Sequence, residues 1–147
     1  MTNELHVGFS GSRHGCSAEQ LLRVHYILKD LAKPFSGYST FWFHHGDCVG
    51  ADAQVMREAR AIGFKIYRHP PLNKSMVANT SYDETDPEFS YHGRNQRIVS
   101  RTSILVAAPY DRSQIGGTWW TIDCARRMKK PRIIVFRDGN IDREELP

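Results

Sequence analysis

The residues of this chain most suited to chemistry are a pair of glycines and a threonine, Gly116-Gly117-Thr118. They follow a short apolar stretch, Ser103-Ile-Leu-Val-Ala-Ala-Pro109, and a loop, and they open a segment with helical character. Paired glycines let backbone N–H groups approach a ligand that a Cβ would hold away. The first turn of a helix aims unpaired N–H groups at whatever lies before it, and an anion such as a phosphate suits that position. A second loop of the same kind, His45-Gly-Asp-Cys-Val-Gly-Ala-Asp52, also joins a strand to a helix. Two such loops in one small chain suggest a nucleotide-sized ligand.

Other clusters surround these two. Gly8, Gly11 and Gly15 flank the end of the first strand with a G-x-x-G-x-x-x-G spacing. That spacing is not the dinucleotide fingerprint G-x-G-x-x-G, and there is no Walker A motif, which argues against ordinary ATPase or GTPase chemistry. Within the Gly11–Gly15 turn, Ser12 can donate to a phosphate and Arg13 can supply charge; the competing reading is a plain β-to-α turn with an exposed arginine. Gly46, Asp47, Gly50 and Asp52 form a sharp turn in which Asp52 either caps the next helix or meets ribose hydroxyls. His44 and His45 are neighbours on a strand end and point opposite ways, so they do not share a metal, and no metal site is expected. His45 is expected at the rim of the site and His44 packed or hydrogen-bonded. Arg94, Arg97 and Arg101 make a basic stripe on one helix. Arg94 and Asn95 lie at the far end of that helix from the following strand, and a bend is expected to direct them to the pocket. Of Trp119 and Trp120, one can stack on a base while the other packs into the core; Trp119, nearer the glycines, is assigned to the ligand. Asp123, about a turn into the helix, is either a general acid or base or a charge that favours the helix start.

The elements that must position these residues alternate. Strands are expected at 5–10, 40–44, 64–68, 104–108 and 132–136. Helices are expected between them: one opened by the capping box Ser17-Ala-Glu-Gln20, one with Ala51, Val55, Ala59 and Ile62 on a face and Gly63 after it, one around Tyr91, Asn95, Ile98 and Thr102, and one over 118–130. This pattern predicts an α/β fold: a single Rossmann-like domain with a five-stranded, mainly parallel sheet of order 3-2-1-4-5 and helices on both faces. The core is expected within 5–136. Residues 70–89 form a long loop, functional or mobile, and the charged tail 138–147 is expected to fray. In that order the direction of winding reverses between the first and fourth strands, and ligands bind beyond the carboxyl ends of strands at such a point.

Composition narrows the class. With 147 residues and a net charge of +4, one domain is the default, and the mild basic excess suits a phosphate-bearing partner. There is no apolar run long enough for a membrane span and no readable signal peptide. Three widely spaced cysteines, Cys16, Cys48 and Cys124, point to a reducing compartment and a cytoplasmic protein rather than a disulfide framework.

Taken together, Gly11-Ser12-Arg13, His45-Gly46-x-x-x-Gly50-Ala51-Asp52, Arg94-Asn95-x-x-Ile98-Val99 and Gly116-Gly117-Thr118 resemble the SLOG superfamily, the Rossmann-like group that includes the LOG phosphoribohydrolases and the DprA/Smf proteins; the small YspA-like branch is the best match. LOG enzymes cleave the N-glycosidic bond of nucleoside 5′-monophosphates and carry P-G-G-x-G-T-x-x-E, with an Arg-Lys pair on the preceding helix. Arg94 matches that arginine, Asn95 replaces the lysine, and Pro109 is separated from Gly116 by six residues. The family's glutamate falls on Asp123 if the glycines are aligned and on Thr121 if Gly-Thr is aligned. The resemblance implies a ligand such as a nucleoside phosphate or an NAD derivative, with no further cofactor. Gly116, Gly117 and Thr118 would hold phosphate with help from Ser12 and Arg13, Gly46, Asp47 and Asp52 would shape the ribose side, and Pro109 would border the site. Two functions follow: hydrolysis, with Arg94 orienting phosphate and Asp123 assisting the sugar, or non-catalytic sensing or sequestration of a nucleotide signal. DNA binding is the weaker alternative, and the family's habit of pairing implies a homodimer.

Overall fold

In the computed structural model, residues 3–146 are described; Met1, Thr2 and Pro147, the ends of the expected domain and tail, lie outside them. The elements are β1 (Glu4–Gly11), α1 (Ala18–Leu31), β2 (Thr40–His45), α2 (Ala51–Ile62), β3 (Lys65–Arg68), β4 (Glu84–Thr85), α3 (Tyr91–Ser100), β5 (Ile104–Ala108), α4 (Gly117–Arg127), β6 (Arg132–Val135) and β7 (Ile141–Glu144). The sheet has seven strands in the order β4-β3-β2-β1-β5-β6-β7. This corrects the expected five-stranded sheet of order 3-2-1-4-5: short strands are added at both edges, and β7 runs antiparallel to β6 while all other pairs are parallel. The tail expected to fray is therefore a strand up to Glu144, whose carboxylate is gripped by Arg126 at 2.9 Å and Arg132 at 2.8 Å. The 70–89 segment is also anchored. It contains β4, and Thr80 donates to Asp47 through both its backbone N–H and its hydroxyl.

Strand alternation divides the side chains between two layers. Val7, Phe9, Phe43, Ile66, Val106 and Val135 pack with Val24, Leu28, Val55 and Ala59 of α1 and α2. Leu105, Ala107 and Ile134 point the other way and pack with Val99 of α3 and with Trp119, Ile122 and Ala125 of α4. Helices thus cover both faces. At Gly8, a Cβ would come within 2.8 Å of the Thr102 hydroxyl, so the missing side chain lets α3 lie close on the sheet.

One buried polar residue ties α1 to the carboxyl ends of the central strands. Ser17 and Gln20 form the reciprocal capping box expected from sequence. The fully buried Gln20 amide then donates to Pro109 O at 2.9 Å and Val135 O at 2.8 Å. Removing that donor leaves two buried carbonyls unpaired. Gln20→Leu is expected to lower unfolding free energy by about 2–4 kcal/mol in urea titration; a loss below about 0.5 kcal/mol would show that the two carbonyls find other donors.

Candidate functional site

The carboxyl ends of β1 and β5 lie side by side, and the chain leaves them in opposite directions around the sheet. Beyond them opens a cleft of about 620 Å³. Its walls are the turn after β1, the loop before α2, the first half of α3, and the segment from Pro109 to the start of α4.

At the α4 end, Gly116 has a φ of +108°, a conformation that favours glycine. The first α4 hydrogen bond across this junction is donated by Trp120 to Gly116 O, so the N–H groups of Gly117, Thr118 and Trp119 have no partner within the helix. Apart from its chain neighbours and the backbone of its own helix, a Cβ on Gly117 would meet no atom of the described residues within 4 Å. Packing therefore does not require this glycine, although glycine in a helix costs up to about 1 kcal/mol relative to alanine. Gly117 lines the cleft, and its bare backbone leaves room for a ligand.

Opposite stands the loop after β2. Asp52 is buried in the first turn of α2, and its Oδ2 accepts from Gly46 N at 3.0 Å and Cys48 N at 3.2 Å. The carboxylate thus acts across the turn rather than as the cap itself, which is Gly50. Arg94 is buried beside it. Its Nη1 donates to Gly46 O at 2.6 Å and His69 O at 3.3 Å, and its Nε donates to Asn95 Oδ1 at 2.6 Å. Burial pushes the Asp52 carboxyl up to about 6, against the opposing effects of Arg94 and the two backbone donors.

Most residues expected at the site meet in this cleft: Gly11, Ser12, Arg13, Gly46, Asp52, Arg94, Asn95, Pro109, Gly116, Gly117, Thr118 and Trp119 all line it. Ser12 accepts from His14 N through its hydroxyl oxygen, which leaves the hydroxyl proton free to donate. Arg13 is exposed and has no ion pair among the described residues. Trp119 is mostly core: it is 5% exposed, and its indole N–H donates to Asp111 O. No bend is needed to bring Arg94 and Asn95 in, because α3 is continuous and its first half lies over the strand ends.

Four residues are placed elsewhere. His45 is not at a rim; it is fully buried, with Nδ1 accepting from Asp47 N and Nε2 without a partner among the described residues. Asp47 is buried under Thr80 and 3.6 Å from Arg68. Gly50 does not line the cleft; with φ +91° it lets the chain pass over the Arg13 carbonyl, 2.3 Å from where a Cβ would stand. Asp123 is turned away from the cleft and paired with Arg126 at 2.9 Å. It lies six residues after Gly117, and at about 100° per residue that puts it on another side of α4. Thr121, the other alignment of the family's carboxylate, is buried and donates to Gly117 O. Sequence reasoning missed Cys48, Met76, Tyr91 and Tyr110 in the lining. For Tyr91 a signal exists: with Arg94, Asn95 and Ile98 it keeps the i, i+3, i+4, i+7 spacing of a single helix face.

The chain resembles known structures in fold. A molybdenum cofactor binding protein from the phototrophic bacterium Rippkaea orientalis superposes with a TM-score of 0.69 at 16% identity, covering 92% of this chain and 78% of that one. A Moco carrier protein from Chlamydomonas reinhardtii gives 0.56 at 20% identity, covering 92% and 76%. DNA processing protein A from Streptococcus pneumoniae gives 0.65 at 15% identity over 89% of this chain, but only 50% of its own length. These likenesses show a shared fold, an α/β sheet with helices on both faces. No family model and no curated protein matches the sequence. Among the described residues no helix is long and apolar enough to cross a membrane.

The buried Asp52 leads to a pH test. A carboxyl raised from 3.8 to about 6 by folding favours the native state below pH 3.8, and that contribution is lost as pH rises through about 6. Relative to Asp52→Asn, the wild type is expected to lose up to about 3 kcal/mol of stability between about pH 4 and pH 6.5. Urea titrations at several pH values measure the difference; a constant offset across that range would contradict the burial argument.

Proposed function

We propose that the cleft binds a phosphate-bearing small molecule of the nucleotide class and holds it without cleaving it. The observation that carries this reading is the start of α4, where unpaired N–H groups and a glycine with no packing requirement face the cleft. Gly116, Gly117 and Thr118 receive the phosphate, and the Ser12 hydroxyl and Arg13 guanidinium assist. Asp52 accepts from a ligand hydroxyl or N–H at the opposite wall, and the edges of Tyr91, Tyr110 and Trp119 offer apolar surface to a flat ring. Arg94 acts as a positioning residue through its Nη1 and Nε, which are engaged by protein oxygens.

Carriage or sensing fits better than hydrolysis because α4 presents no carboxylate to the cleft: Asp123 is paired with Arg126, and its alternative, Thr121, is bonded to Gly117 O. Two neighbours in fold are named for the molybdenum cofactor, and that widens the ligand panel to phosphorylated pterins.

The test is a thermal-shift and calorimetric panel of nucleoside monophosphates, ADP-ribose, NAD, cyclic nucleotides and a phosphorylated pterin. A ligand at about a hundred times its Kd stabilises by about 2.7 kcal/mol, several degrees in Tm for a chain of this size. Gly117→Val is expected to keep the Tm of the free protein within about 3 °C and to weaken the binding ligand at least about tenfold. A base-release assay with the same ligand is expected to stay flat. Absence of any shift across the panel, or full binding by Gly117→Val, would contradict the proposal.

A further inference from the structure

The side of the sheet under α3 carries a feature that the cleft does not use. The same alternation that points Val7, Phe43 and Ile66 into the α1–α2 layer turns His6, His44 and Tyr67 to the opposite face, and His69 follows just beyond β3. The histidines form one unbroken hydrogen-bonded row. Glu4 Oε2 lies 3.2 Å from His6 Nε2, and His6 Nδ1 lies 2.8 Å from His44 Nε2. His44 Nδ1 is 2.8 Å from His69 Nε2, and His69 Nδ1 is 3.2 Å from Asp86 Oδ2. Both nitrogens of all three rings are used, and the row begins and ends on a carboxylate.

Each hydrogen bond needs one proton, and an ionised carboxylate only accepts. The row has four gaps, but three neutral imidazoles bring only three protons. We infer that the row Glu4–His6–His44–His69–Asp86 binds one additional proton as a unit, that its charge rests on His6, and that this proton closes the row onto the first residue of β1.

The charge belongs at the outer end for reasons of solvation and neighbours. His44 is fully buried, and His69 is 1% exposed. Burial, reinforced by the neighbouring groups that would share a positive charge with it, pushes His44 down to about 2. Burial likewise takes His69 down to about 4, against the opposing pull of Asp86. The groups facing the row are cationic or neutral: Arg97 and Arg101 from α3, Tyr67 and Lys65 from β3, and Trp42 from β2. Asp86 is already committed to Arg97 by two contacts of 2.7 Å. His6 has the one carboxylate partner without another ion pair among the described residues, and both side chains are about 30% exposed.

When the proton leaves, one gap must lose its hydrogen. If every ring keeps its proton on Nδ1, the empty gap is at Glu4, which can swing into water. If every ring switches to Nε2–H, the empty gap is at Asp86, whose side chain is 3% exposed and held by Arg97. The row therefore keeps the Nδ1–H arrangement, and release occurs at Glu4.

Long-range 1H–15N correlation spectra of the imidazoles, recorded from about pH 5 to about pH 9, test this. The expected result is that His44 and His69 stay neutral in the Nδ1–H form throughout, while His6 alone passes from imidazolium to the Nδ1–H form. Titration of either inner ring, or an Nε2–H form in any of the three, would overturn the inference. In Glu4→Gln the amide N–H supplies the fourth donor, so His6 is expected to bind its proton about tenfold more weakly. An unchanged His6 titration in that variant would show that the row does not act as a unit.

Discussion

The guanidinium of Arg94 is the contact on which the geometry of the cleft depends. A buried cation is tolerable only when its donors are satisfied and an opposite charge is near. Here the carbonyls of Gly46 and His69 take Nη1, the Asn95 side chain takes Nε, and the buried Asp52 carboxylate stands close by. Those partners belong to three separate segments: the loop after β2, the end of β3, and α3. A single planar group thus fixes their mutual distance. Gly46 makes it possible, because a Cβ there would lie 2.5 Å from Nη1. Asp52 in turn holds Gly46 and Cys48 by their N–H groups, so the loop is clamped from both sides.

Around that clamp the cleft has two chemically distinct ends. One is a rigid wall with a buried acid. The other is the mouth of α4, where backbone donors have no partner among the described residues and Gly117 leaves open the space a side chain would take. A helix start of this kind favours negative charge, and the acid at the far wall favours a donor. A ligand that fits both has a phosphate at one end and hydroxyl or N–H groups at the other, the layout of a nucleotide or a phosphorylated heterocycle. The fold neighbours show that the same architecture occurs in proteins named for a cofactor and for DNA processing.

Much of this was legible because it rests on local pattern. Apolar alternation and helical spacing located the long elements, and glycines with positive φ, such as Gly50 and Gly116, marked the loops that build the cleft. What was illegible rests on distant partners. β7 reads as a frayed tail because Ile-Asp-Arg-Glu is charged, yet the Glu144 carboxylate is answered by Arg126 and Arg132 from elsewhere in the chain. β4 is two exposed residues, Glu84 and Thr85, too short for any periodicity. Asp123 was misplaced because motif alignment ignores helical phase. His45 was expected at a rim because nothing in the sequence shows that the loop from Met76 to Thr80 folds over its neighbour Asp47.

Amide chemical-shift mapping with AMP shows whether an anion seats at the start of α4. Saturable perturbations are expected at Gly117, Thr118 and Trp119, with a second group at Gly46 and Asp52 across the cleft. Perturbations confined to the outer side of α4 around Asp123 and Arg127, or none at the glycines at saturating ligand, would contradict it.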